Sequence, residues 1–579
     1  MKQLMLGNEA VARGLYEAGC SVVSSYPGTP STEITEAAAK YEEIYAEWAP
    51  NEKVAMETAF GAALAGARSF CAMKHVGMNV AADPMFTLSY TGVTGGMVIA
   101  VADDPGMHSS QNEQDSRHYA LAAKLPMLEP SDSAEALAFT KAAFELSEKF
   151  DTAVILKLCT RVSHSQSVVE TSDRVDHIIP DYVKNGAKYI MTPANAIKRH
   201  PAVEERTKAL AEFAESCSLN RIEEGADKSF GIVTSSGSYN YVKEAFGDKY
   251  PVLKLGMIWP MPEKLIKNFA AGIDKAVVVE ELDPFIENQL KAWGILAVGK
   301  EKFSMLGELS QNKVREAFDI KPQDGTKLDA KIPVRPPAMC SGCPHRGLFY
   351  TLKKLKLNVF GDIGCYTLGS AQPLGAMDST LCMGGSITTL HGFNKALGEK
   401  ASGKSVAVIG DSTFAHSGMT GLTNVAYNNS ASCVIILDNS ITGMTGHQQN
   451  PTTGKTLKGD LTSSLDLEAF CRAIGIKRVT VVDPYDLAQC EEVISREAAA
   501  DEPSVVISRR PCVLLKSVKM PGPILEDREK CKGCRLCMSI GCPSISMKDG
   551  KVSIDQTLCV GCNVCTQLCR FGALGGEAK

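Results

Sequence analysis

The sequence predicts a multidomain α/β protein, with parallel-sheet domains in series and a small cysteine-bound domain at the C-terminal end. Three observations predict it. Short apolar runs recur between helical stretches at the spacing of βα units, as in MVIAVADD (97–104), TAVILKL (152–158), KAVVVEELDP (275–284) and SCVIILDN (432–439). The 579 residues exceed what one hydrophobic core holds, so several domains of about 100–200 residues each are expected. Eight of the twenty cysteines fall between positions 531 and 569, in two runs that each open with two-residue gaps, the spacing of metal ligands.

In chain order, residues 1–165 form the first α/β domain, in which the Ala- and Gly-rich VAMETAFGAALAGARS (54–69) reads as a closely packed helix. Residues 166–228 are charged and irregular, a connecting segment with some helix around ERTKALAEFAESC. A middle α/β domain, 229–325, carries FGIVTSSGS (230–238), YPVLKLGMIWPMP (250–262) and KAVVVEELDP. The prolines of KIPVRPPAMCSGCPHRG (331–347) mark the next boundary. A third α/β domain, 335–518, contains the strands SVAVIGD and SCVIILDN, and KMPGPILED (519–527) links it to the cysteine tail, 525–579. The two domains flanking the middle one are expected to share a topology.

Hydrophobic residues make up 44% and charged residues 22% of the chain, ordinary for a globular enzyme. The net charge of -5 argues against nucleic acid or an anionic membrane as the main partner. No apolar run reaches the roughly 18 residues of a membrane span. The N-terminal segment has charges among its apolar positions and no cleavage site, so it reads as part of the fold. Cysteines in ligand spacing suggest thiolates in a reducing cytoplasm, not disulfides.

The tail reads Cys531-x2-Cys534-x2-Cys537-x4-Cys542-Pro, then Cys559-x2-Cys562-x2-Cys565-x3-Cys569. Two-residue gaps let three thiolates of one tight loop reach three corners of a cubane, and the fourth cysteine of each run is directed at the other cluster. The pattern is that of bacterial two-cluster ferredoxins. It assigns Cys531, Cys534, Cys537 and Cys569 to one [4Fe–4S] cluster, and Cys559, Cys562, Cys565 and Cys542 to the second. Zinc is the alternative occupant, but zinc does not require the third evenly spaced cysteine. One extra residue before Cys542, and Arg570 where proline is usual, depart from the pattern without removing a ligand.

In VAVIGDSTFAHSG (406–418) a strand runs into a Gly-Asp turn, and Asn439 follows Asp411 by 28 positions at the end of the next strand. This resembles the thiamine-diphosphate motif, with Ser412 where a second glycine is usual. Magnesium requires hard oxygen ligands. Asp411 and Asn439 supply two, the resemblance adds the carbonyl of Ile441, and Gly410 lets the backbone approach the diphosphate. Upstream, Asn51-Glu52-x2-Ala55 precedes a small-residue helix and resembles the segment whose glutamate contacts N1′ of the aminopyrimidine. A desolvated carboxylate there can hold the shared proton. Glu57, one turn on, is its internal competitor.

Taken with these motifs, SYPGTPSTE (25–33), KHVGMNVAAD (74–83), DDPGMHSSQNEQDSRHY (103–119), RPPAMCSGCPHRG (335–347) and GDSTFAHSG (410–418) resemble the alpha subunits of indolepyruvate ferredoxin oxidoreductases over essentially the whole chain. The resemblance implies transketolase-like pyrimidine-binding (1–165) and diphosphate-binding (335–518) domains, and a transketolase-C-terminal-like middle domain. It implies thiamine diphosphate, Mg2+, two [4Fe–4S] clusters and coenzyme A as cofactors and co-substrate. The implied reaction is oxidative decarboxylation of aryl 2-oxoacids to arylacetyl-CoA and CO2, with ferredoxin as electron acceptor. A smaller beta subunit is implied too, and a homodimer of this chain within an α2β2 heterotetramer.

Carried over residue by residue, Thr29 resembles a substrate-contacting threonine and Arg117 a carboxylate-binding arginine, whose planar fork suits that task. His75 is placed to bond the substrate or a developing enolate oxygen. Cys382, Gly384, Gly385 and Ser386 pack on the cofactor, and the Cys340/Cys343 loop is a cofactor-side loop with free thiols. A turn hydroxyl, a surface ion pair and a structural histidine are the plainer readings of Thr29, Arg117 and His75. Two other functions remain: a non-oxidative thiamine-dependent decarboxylase or carboligase with a structural cluster domain, and a non-catalytic electron-transfer subunit. Intact Glu52, Asp411 and Asn439 count against the latter.

Overall fold

The computed structural model describes residues 1–326 and 329–577, in two compact units, Met1–Leu328 and Asp329–Lys579. In the first unit seven strands form one sheet, ordered Met257–Trp259, Met127–Leu128, Val154–Cys159, Met97–Asp103, Ser69–Lys74, Val22–Ser25, Tyr45–Trp48. All run parallel except Met257–Trp259. The three central strands are buried at every residue, as expected of a parallel sheet covered on both faces.

A second sheet of five strands follows: Ala297–Val298, Ala276–Val279, Gly231–Ser235, Val252–Leu255 and Arg221–Glu223, the last antiparallel. The run 250–262 is divided between the two sheets. Asn220 Oδ1 accepts from the backbone N–H of both Gly256 (2.9 Å) and Met257 (3.0 Å) and fixes the bend. Met257–Trp259 then crosses to the edge of the large sheet. One core runs from Met56, Ile99 and Ile155 to Leu253, Val278 and Leu290, so the first and middle blocks are packed as one body. The connecting segment opens with Gln166–Glu170, antiparallel to Lys2–Leu6. It then forms the helix Pro193–Ala214, which buries Val203, Arg206, Leu210 and Ala214 at helical spacing.

In the second unit five parallel strands are ordered Asn358–Phe360, Ser405–Gly410, Cys433–Asp438, Ser504–Arg509, Arg478–Val482. The last strand in sequence lies between the third and fourth. The parallel strands of the large sheet repeat this order once Tyr45–Trp48 is set aside. The tail has two antiparallel ribbons, Ile524–Glu526 with Leu574–Glu577 and Ile545–Lys548 with Lys551–Ile554. Ile540, Ile545, Val552 and Ile554 form its core and pack against Leu487 of the sheet domain. Among the described residues no helix is long and apolar enough to cross a membrane.

Candidate active site

Adjacent parallel strands bring the Gly-Asp turn and Asn439 together, because Gly410 and Leu437 are in register. Asp411, 2% exposed, accepts from Ser412 N–H (2.8 Å) and from the Thr452 hydroxyl (3.2 Å). The Asn439 amide nitrogen faces His345 Nε2 at 3.4 Å. Burial pushes the His345 ring down to about 4, so it is neutral and accepts from that amide. The other end of the amide lies 2.7 Å from Ile441 O and 3.2 Å from Asp411 Oδ1, and in the reversed amide orientation its nitrogen donates to both. The Asp411 carboxylate, the Asn439 amide and the Ile441 carbonyl thus bring three hard oxygen donors together, the kind of ligand a divalent cation takes. Burial, with Asp438 nearby, pushes Asp411 up to about 7, and a cation here reverses that effect.

A second Gly-Asp, Gly361-Asp362, ends the neighbouring strand, and sequence reasoning missed it although it repeats the same signal. Asp362 is fully buried and accepts from Gly384 N–H (2.9 Å) and Ser386 N–H (3.0 Å). It fixes the start of the helix Gly385–Leu397. Gly384 has φ 83°, and a Cβ there would meet Ser417 Cβ at 2.5 Å. Residues 384–386, 410–412 and 439–441 thus gather at the carboxyl ends of adjacent strands, where open α/β sheets bind ligands. Cys382 is exposed beside this helix start.

In the first unit Asn51 caps the helix Glu52–Leu64, accepting from Val54 N–H at 2.9 Å. Glu52 is buried, and a Cβ on Gly77 would lie 2.5 Å from its Oε1, so glycine makes the space for the carboxylate. Glu57 is exposed and paired with Lys53. Thr29, Lys74-His75 and the loop after Met97–Asp103 converge: Lys74 Nζ donates to Ser109 O (2.7 Å), and the Ser109 hydroxyl reaches Thr29 O (3.5 Å). Burial pulls the Lys74 ammonium down to about 8, against Asp104. His75 Nε2 lies 3.1 Å from Asn112 O, an acceptor, so Nε2 carries the proton. Its Nδ1 is buried without a hydrogen-bond partner among the described residues, and burial lowers the ring's pKa. Neutral His75 therefore offers an acceptor at Nδ1, not the donor that bonding a keto or enolate oxygen needs.

The fork expected at Arg117 is filled from within the chain. Arg117, 2% exposed, meets Asp115 through Nε (2.9 Å) and Glu280 through Nη1 (2.6 Å). Its Nη2 reaches the carbonyls of Glu281 and Asp283, each at 2.9 Å. Burial disfavours the Asp115 carboxylate, but Arg117 overrides it and holds the group down at about 2. Every guanidinium nitrogen has a protein acceptor, so Arg117 ties the first block to the middle one. Lys157, ion-paired with Glu129 (2.9 Å), extends this buried network. No sequence signal pointed to Lys157 or Glu280.

In the tail, Cys531, Cys534, Cys537 and Cys569 line one hollow. Cys542, Cys559, Cys562 and Cys565 line a second. Each set is one of the two quartets that the spacing assigns. Val552 N–H (3.3 Å) and Gly533 N–H (3.5 Å) donate to Cys531 Sγ and lower its pKa, which suits a thiolate ligand. Burial raises the pKa of Cys343, Cys365 and Cys512, and mutual repulsion among these thiols and Cys340 adds to it.

Residues 13–227 match the family model "Pyruvate flavodoxin/ferredoxin oxidoreductase, thiamine diP-bdg", and residues 362–508 match "Thiamine pyrophosphate enzyme, C-terminal TPP binding domain". The indolepyruvate oxidoreductase subunit IorA of Archaeoglobus fulgidus is 41% identical over 98% of this chain and 96% of its own length. That of Pyrococcus horikoshii is 40% identical over 99% and 96%. The chain belongs to the indolepyruvate oxidoreductase IorA family. It is accordingly a thiamine-diphosphate enzyme of the 2-oxoacid:ferredoxin oxidoreductase class. Thr29, Glu52, His75 and Arg117 lie within the first matched stretch, and Asp411 and Asn439 within the second. Among solved structures, a 2-oxoglutarate:ferredoxin oxidoreductase from Magnetococcus marinus aligns over 55% of this chain and 65% of its own, at 18% identity and TM-score 0.45.

Proposed function

We propose that the chain is the catalytic subunit of an enzyme that oxidatively decarboxylates aryl 2-oxoacids with coenzyme A, giving arylacetyl-CoA and CO2. Two electrons per turnover leave through two [4Fe–4S] clusters in the tail to ferredoxin. The observation that carries this reading is the pair of hollows in the tail, each lined by one complete cysteine quartet. Cysteine quartets around two separate hollows suit two cubanes, and a non-oxidative decarboxylase has no use for an electron exit.

Thiamine diphosphate, when bound, supplies the carbanion chemistry that removes CO2 from a 2-oxoacid. Asp411, Asn439 and the Ile441 carbonyl hold Mg2+ on its diphosphate, and the backbone of Gly384, Gly385 and Ser386 approaches the phosphates at a helix N-terminus. Gly410 and Ser412 shape the same turn, and Cys382 closes it from outside. The Glu52 carboxyl holds a proton at N1′ of the aminopyrimidine. Thr29 contacts the substrate, and the neutral His75 accepts a hydrogen bond beside it. Lys74, partly deprotonated near neutral pH by its burial, faces the same loop. Arg117 positions that loop through Asp115. A smaller beta subunit completes the enzyme, with this chain as a homodimer in an α2β2 assembly in a reducing cytoplasm.

The test is anaerobic turnover of the complex with an aryl 2-oxoacid, with and without coenzyme A. Ferredoxin reduction that requires coenzyme A supports the proposal. Release of CO2 with no reduction identifies a non-oxidative decarboxylase, and no reaction at all identifies an electron-transfer subunit.

A further inference from the structure

The two hollows of the tail have different surroundings. The one formed by Cys542, Cys559, Cys562 and Cys565 is walled on another side by Ser341 and Gly342, and none of its cysteines is exposed. The loop that carries Ser341 and Gly342 is fastened to the tail. The Ser341 and Ser544 hydroxyls are 2.7 Å apart, and Arg346 donates to Ile540 O at 3.1 Å. Tyr485 donates to the Gly342 carbonyl, and a Cβ on Gly342, at φ 68°, would collide with Val560. Three positions on, His345 touches Asn439 at 3.4 Å. One short loop therefore joins this hollow to the diphosphate-binding edge of the sheet.

The hollow formed by Cys531, Cys534, Cys537 and Cys569 faces outward. Cys534 is exposed, and Lys532, Arg535 and Phe571 lie on its lining. Lys532, Arg535 and the adjacent Arg570 are exposed. Among the described residues none of these three makes an ion pair, whereas neighbouring Arg528 and Lys530 are paired with Asp549 (3.2 Å) and Asp527 (3.0 Å). Phe571 is 46% exposed among them. The inner hollow has no charged side chain on its lining. An apolar centre in a rim of unpaired cations fits a protein of opposite charge, and such rims chiefly govern encounter and salt dependence.

We propose that the Cys542/Cys559/Cys562/Cys565 cluster receives electrons from the thiamine site, that the Cys531/Cys534/Cys537/Cys569 cluster releases them, and that an acidic iron–sulfur carrier docks on Lys532, Arg535, Arg570 and Phe571. This rests on the reading that both hollows hold [4Fe–4S] clusters. In each transfer the inner cluster is oxidised by one electron as the outer is reduced, and the outer is reoxidised as the carrier is reduced. No bond or proton moves with the electron. Two such passages dispose of the electron pair released per 2-oxoacid.

The test uses the anaerobic complex with its partner subunit and an acidic bacterial-type ferredoxin. In K532E/R535E the Kd for ferredoxin rises about tenfold or more at low salt and loses most of its salt dependence. The charge-matched K404E/K477E, altered at the opposite ends of the sheet strands, binds within about twofold of the parent. Unchanged binding by K532E/R535E, or equal loss in both variants, overturns the docking site. Freeze-quench EPR then reads the order. With substrate and coenzyme A, Cys534→Ser still shows a substrate-reduced cluster while ferredoxin reduction collapses. Cys559→Ser shows none, although dithionite still reduces its outer cluster. The reverse pattern overturns the order alone, whereas a parent protein without iron and sulfide would remove the cluster reading itself.

Discussion

Glu52 and Glu57 sit one helical turn apart, and their surroundings are opposite: one carboxylate is buried against Gly77, the other pairs with Lys53 in solvent. Glu52→Gln is expected to lower kcat by about 10²–10⁴ with the fold retained, the range of a lost positioned proton. Glu57→Gln should stay within a few-fold, and steady-state kinetics on both variants separates the two. Arg117 gives a different kind of prediction. With Asp115 and Glu280 as buried partners, Arg117→Ala leaves two carboxylates uncompensated and should cost about 3–5 kcal/mol. Chemical denaturation checks this; a raised KM with unchanged stability would instead reveal a substrate fork. The motif around Asn51 made Glu52 legible in the sequence, because a cap and a small-residue helix are local features. Glu280 as a partner of Arg117 was not legible, since it lies 163 positions away and only folding makes the two neighbours.

At the scale of elements, the apolar runs at 97–104, 152–158 and 432–439 became buried parallel strands, because unbroken hydrophobicity over that length has few other uses. The run at 250–262 became two strands in two sheets. Its division depends on the Asn220 side chain, which no periodicity reveals. Beyond the strand Ala276–Val279, burial pushes Glu281 up to about 7, against a hydrogen bond from Leu309 N–H. The folded chain then binds more protons at Glu281 than the unfolded chain between pH 4.5 and about 7. Stability from this group is present at low pH and is lost as pH rises through that window. Glu281→Gln should therefore be more stable than the parent at pH 8, by about 1–3 kcal/mol, and equal to it near pH 4. Thermal unfolding at both values tests the sign, and a Gln variant less stable at pH 8 would refute it.

Across the whole molecule, the chain repeats one five-strand order in two sheets and adds a tail whose cysteines surround two hollows. The quartets were legible because ligand spacing in a short loop is local. The walls of the hollows were not, since Ser341 and Gly342 reach the tail from about 200 positions upstream. That a single polypeptide both generates electrons and carries them away is the central claim. The most direct measurement is the visible iron–sulfur absorption of the anaerobic complex on adding an aryl 2-oxoacid and coenzyme A, with no external acceptor. Bleaching is expected in the parent and not in Asp411→Ala, which loses a magnesium ligand while its tail stays intact. Absorption that is absent from the start, or that does not respond to substrate in a protein competent to release CO2, would contradict the account.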